Sequence, residues 1–331
     1  MGTGSIQKLK LLYIADILKQ YTDEENVLNA SEICEKLLEK GINAERKAIY
    51  NDIEMLMTYG YDIVYSRQGK KGYFLASREF EKPEIYLLSD AVRSADFISP
   101  KKTRELISKL SGMLSINQAK KSGGFYINSR NKGNNEEIYY NIDYINKAIE
   151  THKKIKLKYY RHILEDGKQI KYSETTRLIS PYALIWQDDR YYLVGNYEKY
   201  DNLIHLRLDR MRKVEITDIP SRPFSEVSEY TDTFDVSDYT AKAFNMFGGE
   251  LQRIELRCKK DKLEQIIDRF SDKIFIFGVT DTTFSFSADV LISDGFISWL
   301  LQFGTDVEVV KPDILRKSIT EKISALTELY K

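Results

Sequence analysis

The sequence holds few of the residues that build disulfide frameworks and metal centres. Its 331 residues include two cysteines, Cys34 and Cys258, and three histidines. Two cysteines so far apart in the chain provide neither a disulfide framework nor metal-ligand spacing, and they suit a reducing compartment. We therefore expect a cytoplasmic protein that needs no metal and no cofactor.

Long apolar runs and catalytic loops are also missing. No run reaches the roughly 18 apolar residues that a membrane span needs, and the first residues lack the pattern of a signal peptide. No glycine-rich phosphate loop is present, and no serine stands in a nucleophile-elbow context. The sequence predicts a protein without a membrane span that is not an enzyme; dispersed carboxylates leave catalysis as a remote alternative.

Charge is balanced over the whole chain but uneven along it. The formal net charge is +0. Residues 99–133 hold eight basic residues (Lys and Arg) and one acidic residue. Residues 153–213 hold fourteen basic and eight acidic residues, and residues 214–331 hold fourteen basic and twenty-one acidic residues. A basic middle beside an acidic C-terminal third indicates an anion-binding centre. A solvated charge pattern without a partner is the alternative.

Residues 1–80 predict a winged helix-turn-helix domain. Apolar residues at helical spacing indicate helices over 6–21 and 44–58, and Asn29 with Glu32 forms a capping-box pattern before a middle helix that Gly41 ends. Short strands over 62–66 and 73–76 follow, joined by a basic turn. This order predicts that the third helix enters the major groove of double-stranded DNA.

Exposed polar positions of the third helix and the hairpin are the candidate DNA contacts. Arg and Lys can reach phosphates or a guanine edge, and Asn can pair with adenine. We expect Gly69 and Gly72 to let the hairpin turn and approach DNA closely. Because residues 1–80 hold eleven basic and twelve acidic residues, a protein-interaction role is the alternative. The candidates are Arg46, Lys47, Tyr50, Asn51, Arg67, Lys70 and Lys71.

Residues 81–137 predict a helical linker with a polar loop. Apolar residues indicate helices over 84–116, with a fresh start at Ser99-Pro100. Residues 117–137 are polar and include Gly123-Gly124, and a further helix covers 139–153. These helices are placed for dimer contacts, for signal transfer, or simply for packing against the next domain.

Five short strands predict a small SH3- or Sm-like β-barrel. They cover residues 155–162, 176–184, 191–197, 203–208 and 214–218, with turns at 165–167 and 187–189. Alternation directs Leu206 and Leu208 inward and Arg207 outward, and it assigns Tyr192 and His205 to the polar side. This predicts a cationic, tyrosine-lined face that suits a flat anion.

Residues 138–222 resemble the WYL domain family. Tyr191-Tyr192-Leu193 stands where the family has Trp-Tyr-Leu, and the order of Tyr159, Arg177, Ser180-Pro181-Tyr182 and the run from His205 to Arg210 is similar to that of the family. The resemblance implies a domain that senses nucleic-acid fragments or nucleotide-like effectors. On the matching positions it implies the ligand-binding residues Tyr159, Ser180, Tyr182, Tyr192, His205, Arg207 and Arg210.

Each of these residues has a structural alternative. For Arg210 the alternative is a structural ion pair with Asp209 or Asp201. For Tyr159 and Tyr182 it is a buried aromatic ring with a satisfied hydroxyl. His205 is either structural or a donor to phosphate, which it would serve better when protonated. The strongest candidates are Tyr192, His205 and Arg207.

The flanking regions are similar to those of WYL regulators. Residues 46–53 resemble a DeoR-type winged helix, with Asn51 where the family has Arg. Within the C-terminal region, residues 250–331 are predicted as strand, helix, strand, strand, helix, strand and helix, an order that suits a ferredoxin-like fold. Their segment 304–312 resembles the C-terminal extension of WYL regulators.

The combined prediction is a multidomain α+β protein. It has a winged helix-turn-helix (1–80), a helical linker (81–137), a WYL barrel (138–222) and a ferredoxin-like C-terminal extension (223–331). We predict a homodimeric transcription regulator that binds a pseudo-palindromic operator and senses an oligonucleotide or nucleotide-like anion. The alternatives are a nucleic-acid-binding accessory or phage-defence component without an operator, and a regulator that senses a small metabolite in its C-terminal module.

Overall fold

The protein folds into two compact units, residues 1–134 and 135–331. The computed structural model describes residues 3–121, 132, 135–165, 169–187, 189–228, 234–244, 246–271 and 274–331. Most of the predicted polar loop, including Gly123-Gly124, lies outside the described residues. So do the centre of the predicted turn at 165–167 and Asp188 of the next turn.

The first unit begins with three helices and a hairpin. They are α1 (Thr3–Tyr21), α2 (Ala30–Glu39), α3 (Arg46–Tyr59), β1 (Ile63–Ser66) and β2 (Gly72–Leu75), with the two strands antiparallel. The predicted capping box is present: the Asn29 side chain accepts from the backbone of Glu32, whose carboxylate accepts from the Asn29 N–H. Such a cap stabilises a helix by about 1 kcal/mol.

One apolar core holds these elements together. The helices contribute fully buried side chains at helical spacing, because one face of each points inward. The hairpin closes the core with Ile63 and Leu75. The principal helical members are Ile14, Leu18, Ile33, Leu37, Ile49 and Ile53.

Three further helices complete this unit: α4 (Lys82–Ser94), α5 (Pro100–Ser111) and α6 (Ile116–Lys121). They are joined to the three-helix head by polar contacts, which we call the polar clamp. The guanidinium of Arg78 donates to the carbonyl of Thr22 at 2.6 Å and to that of Met113 at 3.3 Å. The Ser115 hydroxyl donates to the buried carboxylate of Asp23.

The second unit begins with α7 (Ile138–Glu150) and an antiparallel sheet. Its strands are β3 (Lys153–Glu165), β4 (Gln169–Gln187), β5 (Arg190–Asn196), β6 (Ile204–Arg207) and β7 (Met211–Pro220), in the order β6-β5-β4-β3-β7. The long strand β4 pairs with β3 along its first half and with β5 along its second. Among the described residues β6 and β7 stand at opposite edges of this sheet and do not pair, so barrel closure stays a prediction.

The last third of the chain has the topology of a ferredoxin-like fold. It comprises β8 (Glu250–Lys259), α9 (Leu263–Phe270), β9 (Phe275–Phe277), β10 (Thr283–Ile292), α10 (Asp294–Leu301), β11 (Val307–Lys311) and α11 (Asp313–Leu329). The sheet order β11-β8-β10-β9, with every pair antiparallel, is that of a βαββαβ unit.

A connector joins the two sheets of the second unit. It contains a short helical turn (Phe224–Glu226) and α8 (Val236–Lys242). Tyr239 of α8 is buried and packs, with Ala243 and Met246, against Ile185 and Val194 of the five-stranded sheet. Along the described residues, no helix is both long and apolar enough to cross a membrane.

Candidate functional site

The register of β5 and β6 brings three predicted ligand residues to one face of the sheet. Tyr192 pairs with Arg207, and Val194 pairs with His205. Because paired residues of antiparallel strands point to the same side, Tyr192, His205 and Arg207 share a face. That face is not fully open, since Val194 and part of Tyr192 pack against the connector.

His205 is engaged by the connector. Its Nε2 lies 2.7 Å from the hydroxyl of Tyr239, and the two rings are 5.7 Å apart. Burial lowers the pKa of His205 to about 4, so the imidazole is neutral at pH 7. In this state it does not offer a phosphate the charged donor that protonation would give.

Arg207 forms a two-point ion pair with Asp209. Its Nε and Nη2 donate to the two carboxylate oxygens at 3.0 and 2.7 Å. These hydrogen bonds raise the pKa of the Arg207 guanidinium. The sequence suggested Asp209 as a partner for Arg210, but the carboxylate pairs with Arg207. The fork that would hold a phosphate is occupied by the chain itself.

A short helical turn, Leu208–Arg210, follows β6, and the side-chain amide of buried Asn135 holds it in place. The Nδ2 of Asn135 donates to the carbonyl of Met211 at 2.8 Å and to that of Asp209 at 3.3 Å. Arg210 ends this turn half-buried. It has no ion pair among the described residues, so its charge is open to a ligand.

Tyr159 connects Arg207 to a second arginine that was not among the predicted ligand residues. The buried Tyr159 hydroxyl accepts from the backbone N–H of Arg207 at 3.3 Å. The Arg177 guanidinium lies 4.6 Å from the centre of the Tyr159 ring and 5.3 Å from that of Tyr197. It also donates to the Tyr197 hydroxyl. Arginine held between two rings keeps its charge while losing little mobility on binding.

Arg177 could have been identified from register rather than from composition. Tyr159 pairs with Thr175, so Arg177, two residues further along the strand, points to the same side. Exposed Arg161 approaches the same Tyr159 ring, at 5.9 Å. The arrangement therefore brings together Tyr159, Arg177 and Arg207, with Arg161 at its edge.

Ser180 and Tyr182 hold the connector. The buried Ser180 hydroxyl accepts from the backbone N–H of Arg222 at 3.0 Å, and the Tyr182 hydroxyl donates to the Arg222 carbonyl at 3.0 Å. The Tyr182 ring also meets Phe224 edge-on at 5.0 Å. Burial raises the pKa of Tyr182 to about 12. These contacts match the structural alternative of a buried aromatic with a satisfied hydroxyl.

Family comparison identifies this part of the chain. The profile of the WYL domain matches residues 141–216. This range contains Tyr159, Arg177, Tyr192, His205 and Arg207, whereas Asn135 and the connector lie outside it. The protein contains a WYL domain. The profile of the WCX domain matches residues 250–327, which include the ferredoxin-like sheet. The resemblance of both regions to WYL regulators is thereby confirmed.

Comparison with whole proteins adds little to the domain matches. No curated protein matches the chain. A solved structure of proteasome accessory factor B/C (PafBC) from Arthrobacter aurescens is similar at 16% identity, with 97% of this chain and 49% of that chain covered and a TM-score of 0.28. The chain spans about half the length of that protein, and a score this low supports no argument about arrangement or activity.

The head that precedes the WYL domain carries exposed cations on α3 and on the hairpin. Arg46, Lys47, Arg67 and Lys71 are exposed and have no ion pair among the described residues. Lys70 is exposed too, but its Nζ lies 2.6 Å from Glu32. The predicted contacts thus divide into four available cations and one that is already paired.

Aromatic contacts fix the hairpin against α3. The Tyr73 ring lies 4.9 Å from Tyr65 and 6.4 Å from Tyr50. Tyr50 and Asn51 are both exposed on α3. Burial raises the pKa of Tyr73. The predicted contacts of helix and hairpin are therefore held in a defined relation to each other.

Glycine serves this hairpin in two ways. Gly69 has φ of +60° in the turn, as expected for a position that favours glycine. A Cβ on Gly72 would lie 2.7 Å from the carbonyl carbon of Leu28. Gly72 is thus required for close packing of β2 against the segment before α2, which differs from the predicted approach to DNA.

Proposed function

We propose that the protein is a cytoplasmic, non-catalytic transcription regulator. It binds an operator in double-stranded DNA through α3 and the hairpin, and it responds to an anionic effector in the WYL domain. The observation that carries the proposal is the combination of a WYL domain with a preceding three-helix head in which four exposed cations, Arg46, Lys47, Arg67 and Lys71, have no ion pair within the described part of the chain. That combination gives one chain a sensor and a nucleic-acid surface.

The DNA-binding part of the proposal rests on local rather than total charge. Arg46 and Lys47 begin α3 and form no ion pair within the described residues. Asn51 lies one turn further along the helix and has the amide needed to recognise adenine. Arg67 and Lys71 of the hairpin supply contacts to the DNA backbone. The acidic residues elsewhere in the head do not neutralise these four cations directly.

The effector part of the proposal rests on the cluster around Tyr159. Arg177 and Arg207 provide guanidinium groups in this cluster, and Arg210 ends the helical turn that follows β6. Guanidinium groups recognise phosphate through paired hydrogen bonds. Tyr192 adds a ring beside Arg207 for stacking. We therefore assign the effector as a nucleic-acid fragment or nucleotide-like anion. We expect these arginines to form most of its polar contacts with the protein. His205 serves chiefly to attach the connector.

A homodimer is part of the proposal, because a pseudo-palindromic operator calls for two heads. The exposed second half of α11 carries apolar Ile323 and Leu326, and Tyr330 follows directly after the helix end. Ile319, four residues before Ile323, is half-buried against the core of the ferredoxin-like sheet, so the four residues form a stripe with spacings of four, three and four. This spacing is that of a coiled-coil seam. We assign the dimer contact to this stripe. An effector would then act by changing the spacing preferred by the two heads.

Selection of binding sequences from random DNA tests the operator. We expect an enriched, roughly symmetric motif, bound less tightly by Arg46→Ala by about 1–3 kcal/mol at fixed salt. Lys19→Ala, which changes an exposed cation at the end of α1, is the matched control and should bind normally. Selection without a motif would favour the accessory or phage-defence role, and full binding by Arg46→Ala would contradict the assignment of α3.

A further inference from the structure

A groove on the helical side of the WCX domain has the features of a second ligand site. It lies between α9 and α10 and has a volume of about 570 Å³. Gln265 and Asp268 lie on one wall, and Trp299, Gln302 and Phe303 on the other. The volume falls within the range of roughly 300–1,000 Å³ that is usual for small-molecule sites.

The aromatic wall of the groove is rigid. Trp299 packs on its inner side against Phe244, Phe270 and Phe296 at ring distances of 5.2, 5.6 and 6.0 Å. Phe303 meets it edge-on at 4.8 Å. Trp299 remains half-buried, so part of the indole faces the groove. A ring fixed in this way offers a stacking surface at little cost in conformational entropy.

Polar groups on both walls are available to a ligand. Gln265 and Gln302 are exposed, and no hydrogen bond to either side-chain amide occurs among the described residues. The same holds for the indole N–H of Trp299, whereas a structural tryptophan usually has a partner for this group. Two amides and an indole therefore present both donors and an acceptor beside an aromatic surface.

Charges around the groove compensate one another. Lys262 lies 3.4 Å from Asp306 at one end, and Arg269 donates to the carbonyl of Ala243 at 2.7 Å. With Asp268, the lining holds two positive and two negative side chains. A strongly anionic ligand would therefore find no excess of positive charge here, unlike at the cluster around Tyr159.

We propose that this groove binds a neutral, planar nitrogen heterocycle of the nucleobase type, as its free base or nucleoside. The ring stacks on Trp299, and Gln265 and Gln302 hydrogen-bond to its polar edge. The site is separate from the anion site of the WYL domain and does not depend on operator binding. It gives the chain a second small-molecule input, located in the C-terminal module.

Tryptophan fluorescence of the full-length protein tests the proposal. The chain has two tryptophans, so Trp186→Phe leaves Trp299 as the only one. Titration with adenosine, guanosine, cytidine and uridine should give saturable quenching by at least one nucleoside, whereas ribose gives none. Gln265→Ala and Gln302→Ala should each weaken binding about tenfold, the loss expected from one hydrogen bond.

Three controls separate this site from the others. Gln20→Ala changes an exposed amide of α1 and should leave the affinity unchanged. Arg207→Ala should also leave it unchanged, whatever the variant does to effector binding. If no nucleoside gives saturable quenching, or if both amide variants bind as tightly as the parent protein, the proposal is overturned. Saturable quenching by ribose alone would overturn the nucleobase assignment.

Discussion

Asp209 occupies the guanidinium fork of Arg207, so replacing it by asparagine should strengthen binding of the proposed anionic effector. The two carboxylate oxygens lie 3.0 and 2.7 Å from Nε and Nη2. Opposite charges about 4 Å apart interact by about 4 kcal/mol at the effective dielectric of a protein surface. The side chains are 24% and 14% exposed, so screening is partial. Asparagine keeps an acceptor oxygen but removes the charge.

The expected gain is smaller than the Coulomb energy, because the anion must still lose its own hydration. We expect a net gain of about 1.4 kcal/mol, which is a tenfold tighter dissociation constant. One more cation is then available to the ligand. The slope of the logarithm of affinity against the logarithm of salt concentration should therefore become steeper by about 0.7, the value for one phosphate contact on a single strand. Fluorescence anisotropy with a short 5′-phosphorylated oligonucleotide measures both quantities.

Asp218→Asn provides the matched control. Asp218 is fully exposed on β7 and pairs with Lys153 at 3.0 Å, so its replacement removes the same charge from the same five-stranded sheet without touching Arg207. Its effect on affinity should be much smaller. If folded Asp209→Asn binds no more tightly than this control, the carboxylate does not compete with the ligand, and the reasoning fails.

Three further outcomes follow from single contacts. Burial lowers the pKa of His205 to about 4 from its ordinary 6.5, so the free energy of unfolding should decrease by up to about 3 kcal/mol as pH falls from 6.5 to 4. Urea unfolding of His205→Gln should show a smaller decrease over the same pH range. A pH dependence equal to that of the parent protein would refute this reasoning. Gly72→Ala should lower the melting temperature, since its Cβ would meet Leu28 at 2.7 Å. Leu326→Glu should give a monomer by light scattering, and a persistent dimer would place the interface elsewhere.

Elements set by local spacing were predictable from the sequence. The capping box between Asn29 and Glu32 depends on residues three apart, and the predicted helix and the observed α2 agree. The order of strands and helices in the WCX domain was likewise predictable, because alternation and turn residues mark each element. Helix ends differ by a few residues, as for α3, where the predicted start precedes Arg46 by two positions.

The candidate site was less predictable, because its contacts span distant segments. His205 meets Tyr239, which lies 34 residues further along the chain. Arg177 reaches the Tyr159 ring only through the register of β3 and β4. Residue types alone indicated a cationic, aromatic face, yet they could not indicate that the connector would pack against part of it. Arg207 and Asp209 are only two residues apart, but the sequence did not indicate which arginine would pair with Asp209, since Arg210 is its direct neighbour.

The polar clamp has a practical consequence for dissecting this chain. A fragment cut at residue 80 would keep the buried carboxylate of Asp23 but lose the hydroxyl of Ser115 that donates to it. It would also keep Arg78 without the carbonyl of Met113. Leaving such groups unpaired costs about 1–3 kcal/mol each, more for charged groups. An isolated DNA-binding fragment should therefore extend through α6, so that expression and crystallisation trials begin from a head in which Asp23 and Arg78 keep these partners.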